Sequence, residues 1–257
     1  MLDKVVASFD EAVADVPDGA CIAIESWGIP ATPQNLIAAL KRRGVRDLTI
    51  VTHTFIPMVW NEDDAALPSL LLPQMKKLIS AIVGIQRLGA GAFLQEYVDR
   101  GLDVEITSHG TLASRLYAGA ASLGGFYNPV GVGTLLEVGK EKKVIDGKEY
   151  IFEKPIRPDY AFISAHRADR LGNLTYRGNF RSDSPMMAMA ARTTIAEVDH
   201  VVEVGEIDHE HVVTPGAFVD RVVQIPEGAL GSHEKQTAMI HMLGQLESTR
   251  DLLFGKE

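Results

Sequence analysis

Two rhythms of apolar and polar positions run along the chain. Short, nearly continuous apolar runs predict strands: Cys21-Ile22-Ala23-Ile24, Leu48-Thr49-Ile50-Val51-Thr52, the stretch from Lys77 to Gly84, and Val104-Glu105-Ile106-Thr107. Between them the spacing turns helical. Val5, Val6, Phe9, Val13 and Val16 predict a helix from Leu2 to Val16, stopped by Pro17-Asp18-Gly19. Thr32 is placed to cap a helix that has Pro33 first and runs to Gly44. Further helices are expected from Phe93 to Arg100 and from Thr111 to Ala121. This β-α alternation, with strands apolar on both faces, predicts an α/β fold: an open, mostly parallel sheet with helices on both faces.

The rhythm breaks at 122–158. Glycines at 124, 125, 131, 133 and 139 lead into Lys143 to Phe152, where Asp146-Gly147 separates two β-prone runs. That dipeptide predicts a β-hairpin excursion near 143–152, because a type I′ turn needs positive φ at both central residues. Strands are expected again at Tyr160–Ala165, Val201–Val204 and Val219–Ile225, with a Met-rich helix beginning at Pro185 and a helical tail from His233 to Phe254. No fixed-period repeat and no evident boundary divides the chain, so residues 1–257 are read as one domain.

Composition narrows the chemistry. The 257 residues hold 25 Lys plus Arg against 34 Asp plus Glu, a net charge of −9. An acidic chain is a poor partner for nucleic acid or an anionic membrane surface, both of which call for basic patches. With 46% apolar residues and a mean hydropathy of +0.04, the chain has the means to build a core. One cysteine, Cys21, excludes an internal disulfide and a four-cysteine metal site. Asp3, Asp10, Glu11 and Asp15 in the first twenty residues do not match a secretory leader, and no apolar stretch exceeds about ten residues, too short for a span. A cytoplasmic location is expected.

In open α/β sheets, ligands bind beyond the carboxyl ends of the strands. The residues that follow the expected strands are Glu25-Ser26-Trp27-Gly28, His53-Thr54 and Ser108-His109-Gly110. A carboxylate, two imidazoles and several hydroxyls would meet on one rim if these strands are neighbours. Other motifs carry less. No G-x-G-x-x-G opens a helix, no P-loop is present, and no Gly-x-Ser-x-Gly elbow occurs. Asp208-His209-Glu210-His211 is read as a surface turn and no metal site is assigned. Met186, Met187 and Met189 are read as core filling, and Cys21 as a buried hydrophobe.

Several stretches resemble the alpha subunit of class I CoA-transferases, the 3-oxoacid and glutaconate type. They are Tyr127-Asn128-Pro129-Val130-Gly131-Val132-Gly133-Thr134, Ala168-Asp169-Arg170-Leu171-Gly172-Asn173 and Val213-Thr214-Pro215-Gly216-Ala217-Phe218-Val219-Asp220. The resemblance implies a chain that completes its active site with a beta subunit, in an α2β2 or larger assembly. The substrates would be an acyl-CoA and a carboxylic acid. Coenzyme A would enter as substrate, with no further cofactor. The partner's glutamate, within a Ser-Glu-Asn-Gly-like motif absent here, would carry CoA as a glutamyl thioester.

The departures fall on the rim. The family's Gly-Gly-Phe-Gly reads Glu25-Ser26-Trp27-Gly28 here, its asparagines after the second strand become His53 and Thr54, and His109 replaces a glutamine. The resemblance therefore makes Glu25 and His109 candidate catalytic groups. Ser26, Trp27, Gly28, His53, Thr54, Ser108 and Gly110 become candidate substrate-binding residues, and Glu105 is held in reserve. One alternative is a component of a ring-cleaving CoA-thioester hydrolase in the breakdown of cyclic compounds. Another is a scaffold chain without catalytic groups.

Overall fold

A computed structural model describes residues 3–26, 31–55, 67–83, 90–227 and 229. The main sheet is built from β1 (Cys21–Ile24), β2 (Leu48–Phe55), β3 (Met75–Val83), β4 (Asp103–Ile106), β8 (Tyr160–Asp169), β10 (Thr193–Val202) and β11 (Arg221–Gln224). Their order across the sheet is β11-β10-β8-β1-β2-β3-β4, and every neighbouring pair is parallel. A short β9 (Leu174–Thr175) adds antiparallel to β8.

Strand alternation divides the core in two. Ile22, Ile24, Leu48, Ile50 and Phe162 face α1 (Phe9–Ala12), α2 (Gln34–Arg43) and α3 (Ala90–Asp99). Ala23, Val51, Ala161 and Ile163 face α4 (His109–Ala120) and α5 (Ser184–Ala190). Helices on both faces of a parallel sheet are what the pattern predicted. The excursion is a separate antiparallel sheet of β5 (Phe126–Asn128), β6 (Lys142–Ile145) and β7 (Lys148–Glu153). Asp146 (φ 50) and Gly147 (φ 75) turn it, as the dipeptide required.

Three local expectations are corrected. The helix expected over residues 2–16 is a single turn, Phe9–Ala12, capped by Ser8. Ahead of it Val5 pairs with Val222 and Val6 N–H donates to Val222 O, so the sheet edge draws the valines into extended backbone. The second helix begins at Gln34 with Pro33, not Thr32, at its N-cap. Its free N–H groups meet Glu197 of β10, whose carboxylate accepts from the Asn35 and Leu36 amides at 3.0 Å each. Desolvation outweighs these bonds and pushes the Glu197 carboxyl up to about 8. The strand expected at Val201–Val204 runs from Thr193 to Val202 instead.

Other expectations hold in part or fall elsewhere. Met187 is fully buried, while Met189 is 42% exposed and fills no core. Burial, then Asp159, pushes the Cys21 thiol up to about 11, which suits an inert small hydrophobe. The 208–211 run forms an exposed 3-10 turn capped by Asp208. The tail at 233–254 lies outside the described residues. Among the described residues no helix is long and apolar enough to cross a membrane.

Candidate functional site

The strand order reverses between β1 and β8. From β1 the chain builds outward through β2, β3 and β4, then returns to add β8, β10 and β11 on the other side. Such a reversal opens a crevice at the carboxyl ends of the two central strands. Glu25 stands there. Its N–H continues the ladder to Phe162 O at 3.1 Å, and its side chain is fully buried. One carboxylate oxygen accepts from Ser26 N–H at 2.9 Å, the other from Asp183 N–H at 3.1 Å.

Alternation along the strands sorts the rim residues by face. Glu25 and His53 share the parity of Ala23 and Val51, and so lie on the side of α4 and α5. There they meet His109, in the first turn of α4, and Asp183, the N-cap of α5. His53 Nδ1 lies 3.1 Å from His109 Nδ1, and the two rings stack with centroids 5.3 Å apart. On its other edge, His53 Nε2 lies 2.5 Å from Asp183 Oδ2. His53 is buried and His109 half-buried. Burial first, then the neighbouring His53, lower the His109 pKa below the usual imidazole value, with Asp183 pulling weakly the other way.

Ser26 and Thr54 take the opposite side. The Ser26 hydroxyl contacts Thr52 Oγ1 and accepts the Thr54 N–H at 3.1 Å, while Thr52 Oγ1 donates to Ile24 O at 3.0 Å. These bonds tie β1 to β2 and occupy the Ser26 hydroxyl. His53 and Thr54 also lie within β2, not after it, because the strand runs on to Phe55.

Ser108 caps α4: its Oγ accepts the Thr111 N–H at 3.1 Å and donates to Thr111 Oγ1 at 2.8 Å. Gly110 is exposed, with open space where a side chain would start. Trp27 and Gly28 lie outside the described residues. The structure thus brings together Glu25, His53 and His109, and sets Ser26, Thr54 and Ser108 in structural bonds around them.

Glu105, held in reserve, points to the flank of the rim. It pairs with Arg115 Nη1 at 2.5 Å and Lys77 Nζ at 2.9 Å. Desolvation raises its pKa, but Lys77 and Arg115 outweigh that and hold the carboxyl below its usual range. It is a structural ion pair.

Two site residues were missed. Asp183 is the first. Its only sequence signal is an Asp before Ser184-Pro185, which reads as a helix start. The cap forms, yet its side chain makes no cap bond and lies against His53. Tyr176 is the second. Its hydroxyl bonds Thr214 Oγ1 at 2.8 Å, and burial, with the nearby Glu25 charge, holds the phenol well above its usual pKa. Nothing local in the sequence marks it.

Comparisons with known proteins now bear on this rim. Residues 6–224 match the family described as Coenzyme A transferase. Over 235 residues the chain is 39% identical to one subunit of the 3-oxoadipate CoA-transferase of Pseudomonas putida, covering 91% of this chain and 99% of that protein. Among solved structures, an acyl-CoA transferase from E. coli O157:H7 in a thioester complex with CoA superposes with a TM-score of 0.75 at 24% identity. That match covers 89% of this chain and 48% of the other, so this chain spans about half of that one. The decarboxylase AibA/AibB superposes with a TM-score of 0.71 at 23% identity, covering 98% of this chain and 97% of that one. These two likenesses speak to fold alone, since one fold hosts different reactions.

Proposed function

From a chain that belongs to the coenzyme A transferase family, we propose a role as the alpha-type, single-domain half of a heteromeric CoA-transferase. It moves CoA between an acyl-CoA and a carboxylic acid. A beta-type partner supplies the glutamate that attacks the acyl-CoA and then holds CoA as a thioester. CoA is a substrate here, and no other cofactor is invoked. The near-complete alignment with one subunit of a two-part transferase supports the division of labour. The net charge of −9 is consistent with leaving most of the binding of anionic CoA to the partner.

The single observation that carries the site assignment is the convergence of Glu25, His53, His109 and Asp183 at the strand-order reversal. Glu25 and His109 act on the reacting groups, with His53 behind His109. Trp27 and Gly28, which continue from Glu25, contribute to the acyl pocket. A second reading is hydrolysis of a CoA thioester. The buried Glu25 carboxylate favours it, since a buried carboxylate and an imidazole together form a general-base set for water.

One assay separates the two readings. The chain is co-purified with its partner, supplied with an acyl-CoA, and free thiol and CoA exchange are followed with and without an acceptor acid. Transfer predicts exchange that depends on the acceptor, with little thiol release in its absence. Thiol release without acceptor overturns transfer in favour of hydrolysis. Under either reading, Glu25→Gln lowers kcat by about 10²-fold or more, the usual scale for an acid-base group. Unchanged turnover removes Glu25 from the mechanism.

A further inference from the structure

The contact between His53 and Asp183 fixes more than position. At 2.5 Å, a bare imidazole nitrogen and a carboxylate oxygen would set two lone pairs against each other, below hydrogen-bond length for unprotonated partners. A proton therefore sits on His53 Nε2. A neutral imidazole carries one N–H, so His53 Nδ1 holds a lone pair. Its neighbour at 3.1 Å, His109 Nδ1, must then be the donor. If His109 is neutral too, as burial beside His53 favours, its single proton is on Nδ1 and its Nε2 is a bare acceptor.

We propose that Asp183 sets the protons on both imidazoles, so that His109 offers Nε2 as an acceptor to a ligand bearing an O–H or N–H. Asp183 is then a positioning residue that acts through His53. Its own place is held by its backbone N–H on the Glu25 carboxylate at 3.1 Å.

The consequence is chemical selectivity. A bare Nε2 cannot donate to a carboxylate or to a thioester carbonyl. It pairs with a water, a hydroxyl, an enol or a protonated acid, and can take that group's proton. This sharpens His109 from a general polar contact into a base with a defined face. The inference does not depend on transfer or hydrolysis being the reaction, because the tautomers exist without substrate.

The test reads them directly. The full chain, with its partner where the two co-purify, is labelled with 15N. Long-range 1H–15N correlations of the imidazoles are recorded above the imidazole titration range, and His109→Gln assigns the signals. The expected spectrum gives His53 a pyrrole-type Nε2 and pyridine-type Nδ1, and His109 the reverse. In Asp183→Asn, an amide N–H facing His53 Nε2 reverses both rings, the wrong-tautomer effect known for a protease triad. A wild-type His53 protonated on Nδ1 alone, or an Asp183→Asn spectrum with both tautomers unchanged, overturns the proposal. If that variant does not fold, Asp183→Ala serves. Shifts averaged between tautomers support the proposal, and wild-type shifts overturn it. Loss of CoA exchange with tautomers unchanged would leave the transferase reading intact and sink this one.

Discussion

The two sheets of this molecule are held by different forces. In the parallel sheet both faces are covered, and residues such as Phe162 and Ile50 are fully buried. In the antiparallel excursion, β6 presents Val144 at 63% exposure, and only Ile151 and Glu153 of β7 are buried. There the order comes from backbone geometry and pairing. The Asp146-Gly147 turn sets the register, Tyr127 meets Phe152 edge-on, and Lys140 holds Glu153 at 2.6 Å. One chain thus uses burial where it needs a rigid platform for a site, and turn chemistry where it needs a projecting surface.

Three substitutions can break or sharpen that contrast. The largest effect is expected for Phe162→Ala, which removes a fully buried ring between β1 and β10. The cost should be about 3–5 kcal/mol by denaturant unfolding. A loss below about 1 kcal/mol would deny the main sheet its dependence on packing.

Next comes Glu197→Gln, at the buried meeting of β10 and α2. The Glu197 carboxyl is raised from 4.5 to about 8 in the fold. A raised carboxyl contributes stability that is fully present below its unfolded value and lost as pH rises through the folded one. Unfolding free energy of the native chain should therefore fall relative to the Gln variant between about pH 4.5 and pH 8. Parallel pH curves would show that the bonds from Asn35 and Leu36 keep Glu197 charged throughout.

The smallest effect is expected for Gly147→Ala in the excursion. Its φ of 75° is left-handed, which costs an L-residue about 1–2 kcal/mol. That loss should appear as faster amide exchange across the Lys142–Ile151 and Ile145–Lys148 pairs, with β1 and β8 unchanged. Faster exchange in both sheets would mean that they open as one unit.

The sequence was most legible where forces were local. The four apolar runs became β1 to β4, because a strand covered on both faces must be apolar throughout. Asp146-Gly147 became a turn because few other residues accept that backbone. It was least legible where distant partners decided. Val5 and Val6 have helical spacing, but a pairing with Val222 wins. Thr194, Glu197 and Asp199 hide β10 from an apolar scan, since Glu197 is buried only because α2 ends on it.

The rim divides in the same way. Strand ends marked Glu25, His53 and His109 through the general rule of open sheets. Asp183 joins them only through three dimensions, far along the chain from His53. Nor could the pattern reveal that Ser26 and Thr54 take the opposite face from Glu25, which follows only once the strand limits are known.

Asp183 serves its two neighbours by separable means. It reaches Glu25 with its main chain and His53 with its side chain. Any residue but proline keeps the first contact, while nearly any substitution alters the second. The imidazoles can therefore be retuned, by mutation or over generations, without unseating the carboxylate beside them. One position works as an independent dial on a shared site.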